Sequence, residues 1–180
     1  NISDDPESRE FYCDVIMDEA AKMNKLVKNL LTLNQLESGR DEVTMERFDI
    51  VSLIRGVLQS MDIMIQQKEA KVNFEVSDPV YVWADEFKIE EVVTNYTSNA
   101  LNHLNGGKEI EIRVLPEDDR VRVTVFNTGI PIPEEDIPKL WNKFYKVDKA
   151  RTREYGGSGI GLSIVKAIME SLHQQYGVQN

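Results

Sequence analysis

The sequence predicts an α+β protein, a two-layer α/β sandwich preceded by one long helix suited to joining a bundle. Three observations carry this prediction. Cys13, Ile16, Ala20, Met23, Val27 and Leu30 follow one another in alternating steps of three and four residues, which is a heptad seam. Apolar residues then alternate with polar ones at Val72, Phe74 and Val76, at Ile110, Ile112 and Val114, and at Val121, Val123 and Val125, the period of half-buried strands. Between and after these runs the period returns to that of amphipathic helices, so strands and helices share a core, with helices on one face of antiparallel strands.

In chain order, Asp5 and Pro6 read as an N-cap followed by proline in the first helical position. Glu7 and Glu10 suit the positive end of the helix dipole, and Gly39 after Leu36 is the expected stop. A long helix with so narrow an apolar stripe does not bury itself and expects partner helices. Arg47 to Ile50 reads as a short strand, followed by one helix with Ile54, Val57, Leu58, Met61 and Ile65 on one face. Val72 to Val76 and Val80 to Trp83 read as strands on either side of a Ser-Asp-Pro turn. Asp85 caps a third helix running to about Leu104, and Asn105-Gly106-Gly107 turns the chain. Pro116 to Asp119 joins the next two strands as a hairpin. Residues 128–158 form a long connection with one short helix near Glu134 to Trp141, and connections of this length inside a domain are usually functional. The last helix starts near Gly159 and carries Leu162, Ile164, Val165, Ile168, Met169 and Leu172.

Composition narrows the function. The 180 residues are 41% hydrophobic and 29% charged, a globular balance that needs no disulfide or metal staple. Cys13 is the only cysteine, which excludes a disulfide framework and a multi-cysteine zinc site. No apolar run approaches the roughly 20 residues of a membrane span. A formal net charge of −10 argues against a general nucleic-acid binder. Locally the balance reverses: Lys143, Lys146, Lys149, Arg151 and Arg153 make the stretch from Leu140 to Tyr155 cationic, which suits a phosphate ligand.

Three elements are candidates for chemistry. Asn95, Asn99 and His103 recur at four-residue steps and share a helix face, with Asn102 nearby. Amides and imidazoles suit a core poorly because each must be satisfied by hydrogen bonds, and a carboxamide oxygen is a hard ligand suited to Mg²⁺. From spacing alone, a solvated polar face is the simpler reading. Asn127-Thr128-Gly129 follows a strand directly, a place where ligands are often met, although a simple turn has the same signature. Gly156-Gly157-Ser158-Gly159-Ile160-Gly161-Leu162 leads into the last helix. Its glycines admit a ligand close to the backbone, and the helix N-terminus offers unpaired N–H groups, which together make a phosphate site, although a flexible hinge has the same glycines. The pattern is not a P-loop, which needs a Lys-Ser/Thr pair, nor a dinucleotide fingerprint, which needs glycine where Leu162 stands.

These elements, in this order, resemble the nucleotide-binding boxes of sensor histidine kinases, a group related to gyrase, the Hsp90 chaperones and the MutL repair ATPases. Asn95, Asn99 and His103 match the N box, and Asn127 to Gly129 the first glycine box. Leu140-Trp-Asn-Lys-Phe-Tyr145 is similar to the F box, and Gly157-x-Gly159-x-Gly161-Leu162 to the second glycine box. The first helix, ending Leu30-Leu31-x-Leu33-x-x-Leu36-Glu37-Ser38-Gly39, is similar to the second helix of a kinase dimerisation hairpin. The resemblance implies the Bergerat ATP-binding fold over residues 41–180 and an incomplete dimerisation and phosphoacceptor hairpin over 1–40.

The resemblance also implies roles. Asn99 would hold Mg²⁺ through its side-chain oxygen and Asn95 would sit by the phosphates of ATP. An amide at Asn95, where hydrolytic relatives have glutamate, cannot act as a base toward water, which favours transfer to a protein acceptor over hydrolysis. His103 would lie near the phosphates or cap its helix. Lys143 would contact phosphate, Phe144 or Tyr145 would anchor a lid from about Ile130 to Gly156, and Arg151 and Arg153 would be lid cations. Gly157, Ser158, Gly159, Ile160, Gly161 and Leu162 would bring backbone amides to the phosphates.

Three departures stand out. The usual aspartate of the first glycine box is Asn127, whose oxygen can accept from the adenine amino group and whose NH₂ can donate to a ring nitrogen. The only histidines are His103 and His173, so the phosphoacceptor is expected upstream. The family's closing C-terminal strand is not found before Asn180. The implied partners are ATP, the upstream acceptor helix, a response-regulator receiver domain and a second copy in a homodimeric parent. That parent would be membrane-anchored, with this portion in the cytoplasm. A hydrolytic ATPase, a serine kinase of anti-sigma type and a nucleotide-gated module without catalysis are the alternatives.

Overall fold

A computed structural model of the chain describes residues 6–39, 42–147 and 158–180, with side chains from Ser8 onward. The expected cap at Asp5, the lid residues Lys149, Arg151 and Arg153, and Gly156 and Gly157 of the glycine run lie outside the described residues. Helix α1 spans Pro6–Glu37, and strand β1 covers Glu46–Asp49. The single helix expected next is two, α2 at Ile50–Ser60 and α3 at Asp62–Lys68, broken at Met61. Strands β2 (Lys71–Asn73) and β3 (Tyr81–Ala84) lead to α4 (Glu86–Asn102). The hairpin β4 (Glu109–Pro116) and β5 (Val121–Asn127) follows, then a 3₁₀ turn at Ile137–Trp141 and α5 at Gly161–Ser171.

Two small sheets result. β1 pairs antiparallel with β3, and the other sheet has the order β2-β4-β5, with β2 parallel to β4 and β4 antiparallel to β5. The Ser-Asp-Pro turn therefore joins strands of different sheets, and Phe74 and Val76 pack on the core from outside β2. Alternation reports which face a side chain takes, not which strand lies beside it.

Helices α2 and α4 cover the inner face of the larger sheet. Val51, Ile54 and Val57 of α2, Val93 and Leu101 of α4, and Ile110, Ile112 and Val114 of β4 form one buried cluster. A second cluster joins Leu33 and Leu36 of α1, Val92 of α4, and Ile160, Ile164, Val165 and Ile168 at and within α5. Helix α4 is thus the wall between both clusters, which fixes the position of its polar face. Burying a leucine such as Leu33 stabilises by about 1.5–3 kcal/mol, so the end of α1 is held firmly. The heptad seam upstream stays in water: Cys13, Ile16, Met23, Val27 and Leu30 are exposed.

Two aspartates lock the ends of the β1–β3 ribbon. Asp49 ends β1, caps α2 by accepting from Val51 N at 3.1 Å, and also accepts from Val80 N at 2.9 Å. Asp85 follows β3, caps α4 by accepting from Lys88 N at 3.1 Å, and accepts from Thr44 N at 2.9 Å. Each carboxylate ties a helix start to the neighbouring strand's approach, satisfying donors the helix cannot.

Candidate functional site

Glu91, Asn95, Asn99 and His103 lie one turn apart along α4. Asn95 is half-buried and its Nδ2 donates to Glu91 O at 2.9 Å, which aims Oδ1 away from its own helix. That oxygen faces the start of α5, where a Cβ added to Gly161 would lie 2.7 Å from it. Asn99 is half-buried one turn further on. His103 ends the helix, and partial desolvation holds its imidazole below the ordinary histidine pKa.

Helix α5 opens without a side-chain cap, so its first turn leaves backbone N–H groups without intrahelical partners. Ser158 Oγ accepts weakly from Ile160 N at 3.4 Å. The Ile160 side chain is fully buried, leaving only its backbone for a ligand, while Leu162 is half-buried in the first turn. Gly159, at φ +70°, accepts at its carbonyl from Phe144 N at 2.8 Å. A Cβ on Gly159 would come within 3.0 Å of Phe144 Cα, so both conformation and space call for glycine. Phe144 is itself left-handed, at φ 64°, and exposed. The stem of the connection between residues 144 and 159 is thereby pinned to the start of α5.

The neighbouring residues are held from two sides. Tyr145 donates its hydroxyl to Asp136 Oδ1 at 2.6 Å, and this bond, with Lys139 second, holds the Asp136 carboxyl below its usual range. Lys143 Nζ sits 2.7 Å from Glu37 Oε2, in the last turn of α1. Sequence reasoning missed Glu37, because an ion pair between residues this distant in sequence has no local pattern. It also missed the C-terminal tail. Tyr96 hydroxyl donates to Gly177 O at 3.3 Å, Trp141 meets Tyr176 edge to face at 4.7 Å, and the Asn180 carboxamide exchanges two 2.8 Å bonds with the backbone of Ile132. Burial pushes the Tyr96 phenol up to about 12.

A third corner joins α4 to β5. Thr128 O accepts from Asn105 N at 3.0 Å, and Thr128 N and Oγ1 exchange bonds with Glu109 O and N at 2.9 and 3.0 Å. Asn127 Nδ2 donates to Thr128 O at 3.2 Å and faces His103 O at 3.5 Å. Gly129 packs on the same pair: a Cβ there would be 2.9 Å from both Asn127 Nδ2 and His103 O. The structure therefore gathers Asn95, Gly161 and Gly159 at one end, with Lys143 and Phe144 beside them, and His103, Asn127 and Gly129 at the other.

The set suits a phosphorylated ligand. An uncapped helix N-terminus that begins with glycine favours an anion. No cluster of three or more His, Cys, Asp or Glu side chains able to hold a metal occurs among the described residues. A metal supported by amide oxygens and by oxygens of the ligand itself, as Mg²⁺ accepts, fits this donor set.

The pattern of the histidine kinase-, DNA gyrase B- and HSP90-like ATPase family matches residues 84–179, more than half of the chain. Sensor histidine kinase WalK of Bacillus subtilis (strain 168) is 32% identical over 159 residues, 87% of this chain and 26% of that protein. Sensor histidine kinase YkoH of the same strain is 34% identical over 165 residues, 92% of this chain and 35% of that protein. The solved structure of histidine kinase ThkA in complex with response regulator TrrA superposes with a TM-score of 0.70 at 28% identity, over 95% of this chain and 47% of that one. This chain belongs to the histidine kinase-, gyrase B- and HSP90-like ATPase family. Within it, the chain is the ATP-binding catalytic part of a sensor histidine kinase, and it spans about a quarter to a third of the curated relatives it matches.

Proposed function

We propose that this chain binds Mg-ATP between α4 and the start of α5 and positions the γ-phosphoryl group for transfer to a histidine on a dimerisation hairpin. The relay would continue to a response-regulator aspartate. The observation that carries the reading is the packing of Asn95 Oδ1 against Gly161, which brings an amide-bearing helix face to an uncapped helix N-terminus.

Residues 1–40 are read as the second hairpin helix and 41–180 as the catalytic domain. Asn99 is the residue to hold Mg²⁺, which would neutralise charge on the phosphates. Asn95 orients the phosphates, and neither amide can take a proton from water, so hydrolysis is not assisted. Backbone amides at Gly159, Ile160 and Gly161 face the phosphate oxygens. Lys143 supplies a cation once it leaves Glu37, and Asn127 and Gly129 receive the base. The exposed α1 seam supports pairing with an upstream acceptor helix and a second copy. The ThkA–TrrA complex supports a response regulator as partner. The absence, among the described residues, of a helix long and apolar enough to cross a membrane fits a cytoplasmic portion of an anchored parent.

The test is calorimetric titration with a non-hydrolysable ATP analogue, with and without Mg²⁺, followed by phosphorylation of an added acceptor hairpin. Mg²⁺-aided binding and acceptor labelling are expected. ATP hydrolysis without labelling would indicate the ATPase alternative.

A further inference from the structure

We infer that Tyr176 is a positioning residue for the nucleotide site: its ring, seated in the tail beyond α5, fixes Trp141 and through it the segment that carries Lys143 and Phe144. The inference rests on the reading above that this site receives ATP.

The end of α5 turns the tail back. Leu172 closes the helix, His173 takes the left-handed conformation at φ 55°, and its N–H returns to Glu170 O at 3.1 Å. Gln174 N reaches Met169 O at 2.8 Å. The two bonds form a Schellman turn, which satisfies the last helical carbonyls and reverses the chain. Tyr176 follows two residues later and is held at both ends. Its hydroxyl donates to Glu170 Oε1 at 2.8 Å, and its ring meets Trp141 edge to face at 4.7 Å. Both rings are half-buried against the cluster that contains Ile160, Ile164 and Ile168.

Three parts of the site meet this short tail. Trp141 ends the 3₁₀ turn, two residues before Lys143. Gly177 O accepts from the hydroxyl of Tyr96, which follows Asn95 in α4, at 3.3 Å. Asn180 bonds both backbone groups of Ile132, three residues beyond Gly129. Lys143 and Phe144 have exposed side chains, so the backbone on either side has to seat them. Downstream, the bond from Phe144 N to Gly159 O does so. Upstream, the contact of Trp141 with Tyr176 does so. The bond from Tyr145 to Asp136 closes the segment on itself and ties it to neither α4 nor α5. An edge-to-face aromatic pair is a modest attraction, so its loss unseats the segment in part of the population. Affinity then falls in proportion to the fraction that stays seated.

The experiment titrates a non-hydrolysable ATP analogue with Mg²⁺ into the wild-type chain, Tyr176→Ala and Tyr176→Phe. Each is also made with Trp83→Phe, which removes an exposed tryptophan of β3 and leaves Trp141 as the only one. Tyr176→Ala is expected to lose affinity about three- to ten-fold, with circular dichroism unchanged and Trp141 emission shifted to the red. Tyr176→Phe keeps the ring and should match wild type in both readouts. With Lys143→Ala already present, Tyr176→Ala should cost less than it does alone, because the two act through one segment. A role in stability alone would lower Tm and leave the affinity of the folded chain unchanged. Wild-type affinity in folded Tyr176→Ala therefore overturns the inference. An equal loss in Tyr176→Phe, or a loss fully additive with that of Lys143→Ala, overturns it as well. Should Tyr176→Ala not fold, Tyr176→Leu, which keeps apolar bulk without an aromatic edge, takes its place under the same expectations. A wild-type chain that does not bind the ATP analogue sinks the functional reading and this inference together, whereas wild-type binding with Tyr176→Ala unaffected sinks the inference alone.

Discussion

Asn95 Oδ1 occupies the space that a Cβ on Gly161 would need: the two would stand 2.7 Å apart. The oxygen is aimed there by the bond from Asn95 Nδ2 to Glu91 O. Gly161→Ala should therefore displace the amide although alanine is the better helix former. The expected outcome is a loss of about 10-fold or more in affinity for the ATP analogue, with circular dichroism unchanged. The stability cost, on the order of 1 kcal/mol, should vanish in the Asn95→Ala background, since the clash partner is then gone. Denaturant melts of the single and double variants measure this.

Asp85 joins the linker after α1 to the helix that carries Asn95 and Asn99. It caps α4 and accepts from Thr44 N at 2.9 Å. Asp85→Ala removes both bonds and the carboxylate beside the buried Lys88 ammonium, 3.9 Å away. A cost of about 2 kcal/mol or more is expected. Asp85→Asn keeps a capping oxygen and should recover part of it. Hydrogen exchange should show the first turn of α4 and the backbone near Thr44 losing protection together.

Lys143 and Glu37 should contribute little to stability, because both are half-exposed and solvent screens the pair. Their coupling to ligand is a different matter. Glu37→Gln frees the Lys143 cation for phosphate, so affinity for the ATP analogue should rise two- to five-fold at low salt. The gain should fade near 0.5 M salt, where the Debye length shrinks to a few ångströms. Lys143→Ala should cancel the effect of Glu37→Gln.

Acid should weaken the β1–β3 ribbon. The Asp49 carboxyl is held below its ordinary range, chiefly by the Ser52 hydroxyl and then by backbone N–H groups including Val80. A depressed folded pKa gives stability that is present above the unfolded pKa and lost as pH falls through the folded one. Thermal melts from pH 6 down to pH 3 should show Asp49→Asn with a shallower decline than wild type.

His103, grouped with Asn127 and Gly129 at the far end of α4, tests how far the phosphates reach. Its ring is held below the ordinary histidine pKa by desolvation. If phosphates lie near it, Mg-free ATP analogue should raise that pKa, because an adjacent anion favours the imidazolium. A proton NMR titration of the His103 ring, with His173 as internal reference, measures the shift.

Much of this site was legible in the sequence, and the reasons differ by element. The face of α4 could be read because helical spacing places Asn95, Asn99 and His103 together without knowledge of anything else. The start of α5 could be read because glycines just before an apolar helical run mark a helix start. The break at Met61 could not, since the apolar face of α2 continues in phase into α3. The parallel pairing of β2 with β4 was hidden as well, because it is set by Lys71 and Glu109 meeting across a connection that contains β3 and α4. The tail contacts of Tyr176 and Asn180, and the Glu37–Lys143 pair, come from tertiary packing and carry no periodic signature.

The most direct test of the central claim is ¹⁵N NMR of the chain during addition of a non-hydrolysable ATP analogue with Mg²⁺. The account predicts saturable shifts concentrated on the backbone amides of Gly159, Ile160 and Gly161 and on the side-chain amides of Asn95, Asn99 and Asn127. Saturable binding that leaves these resonances in place, or no binding by the folded chain, would contradict it.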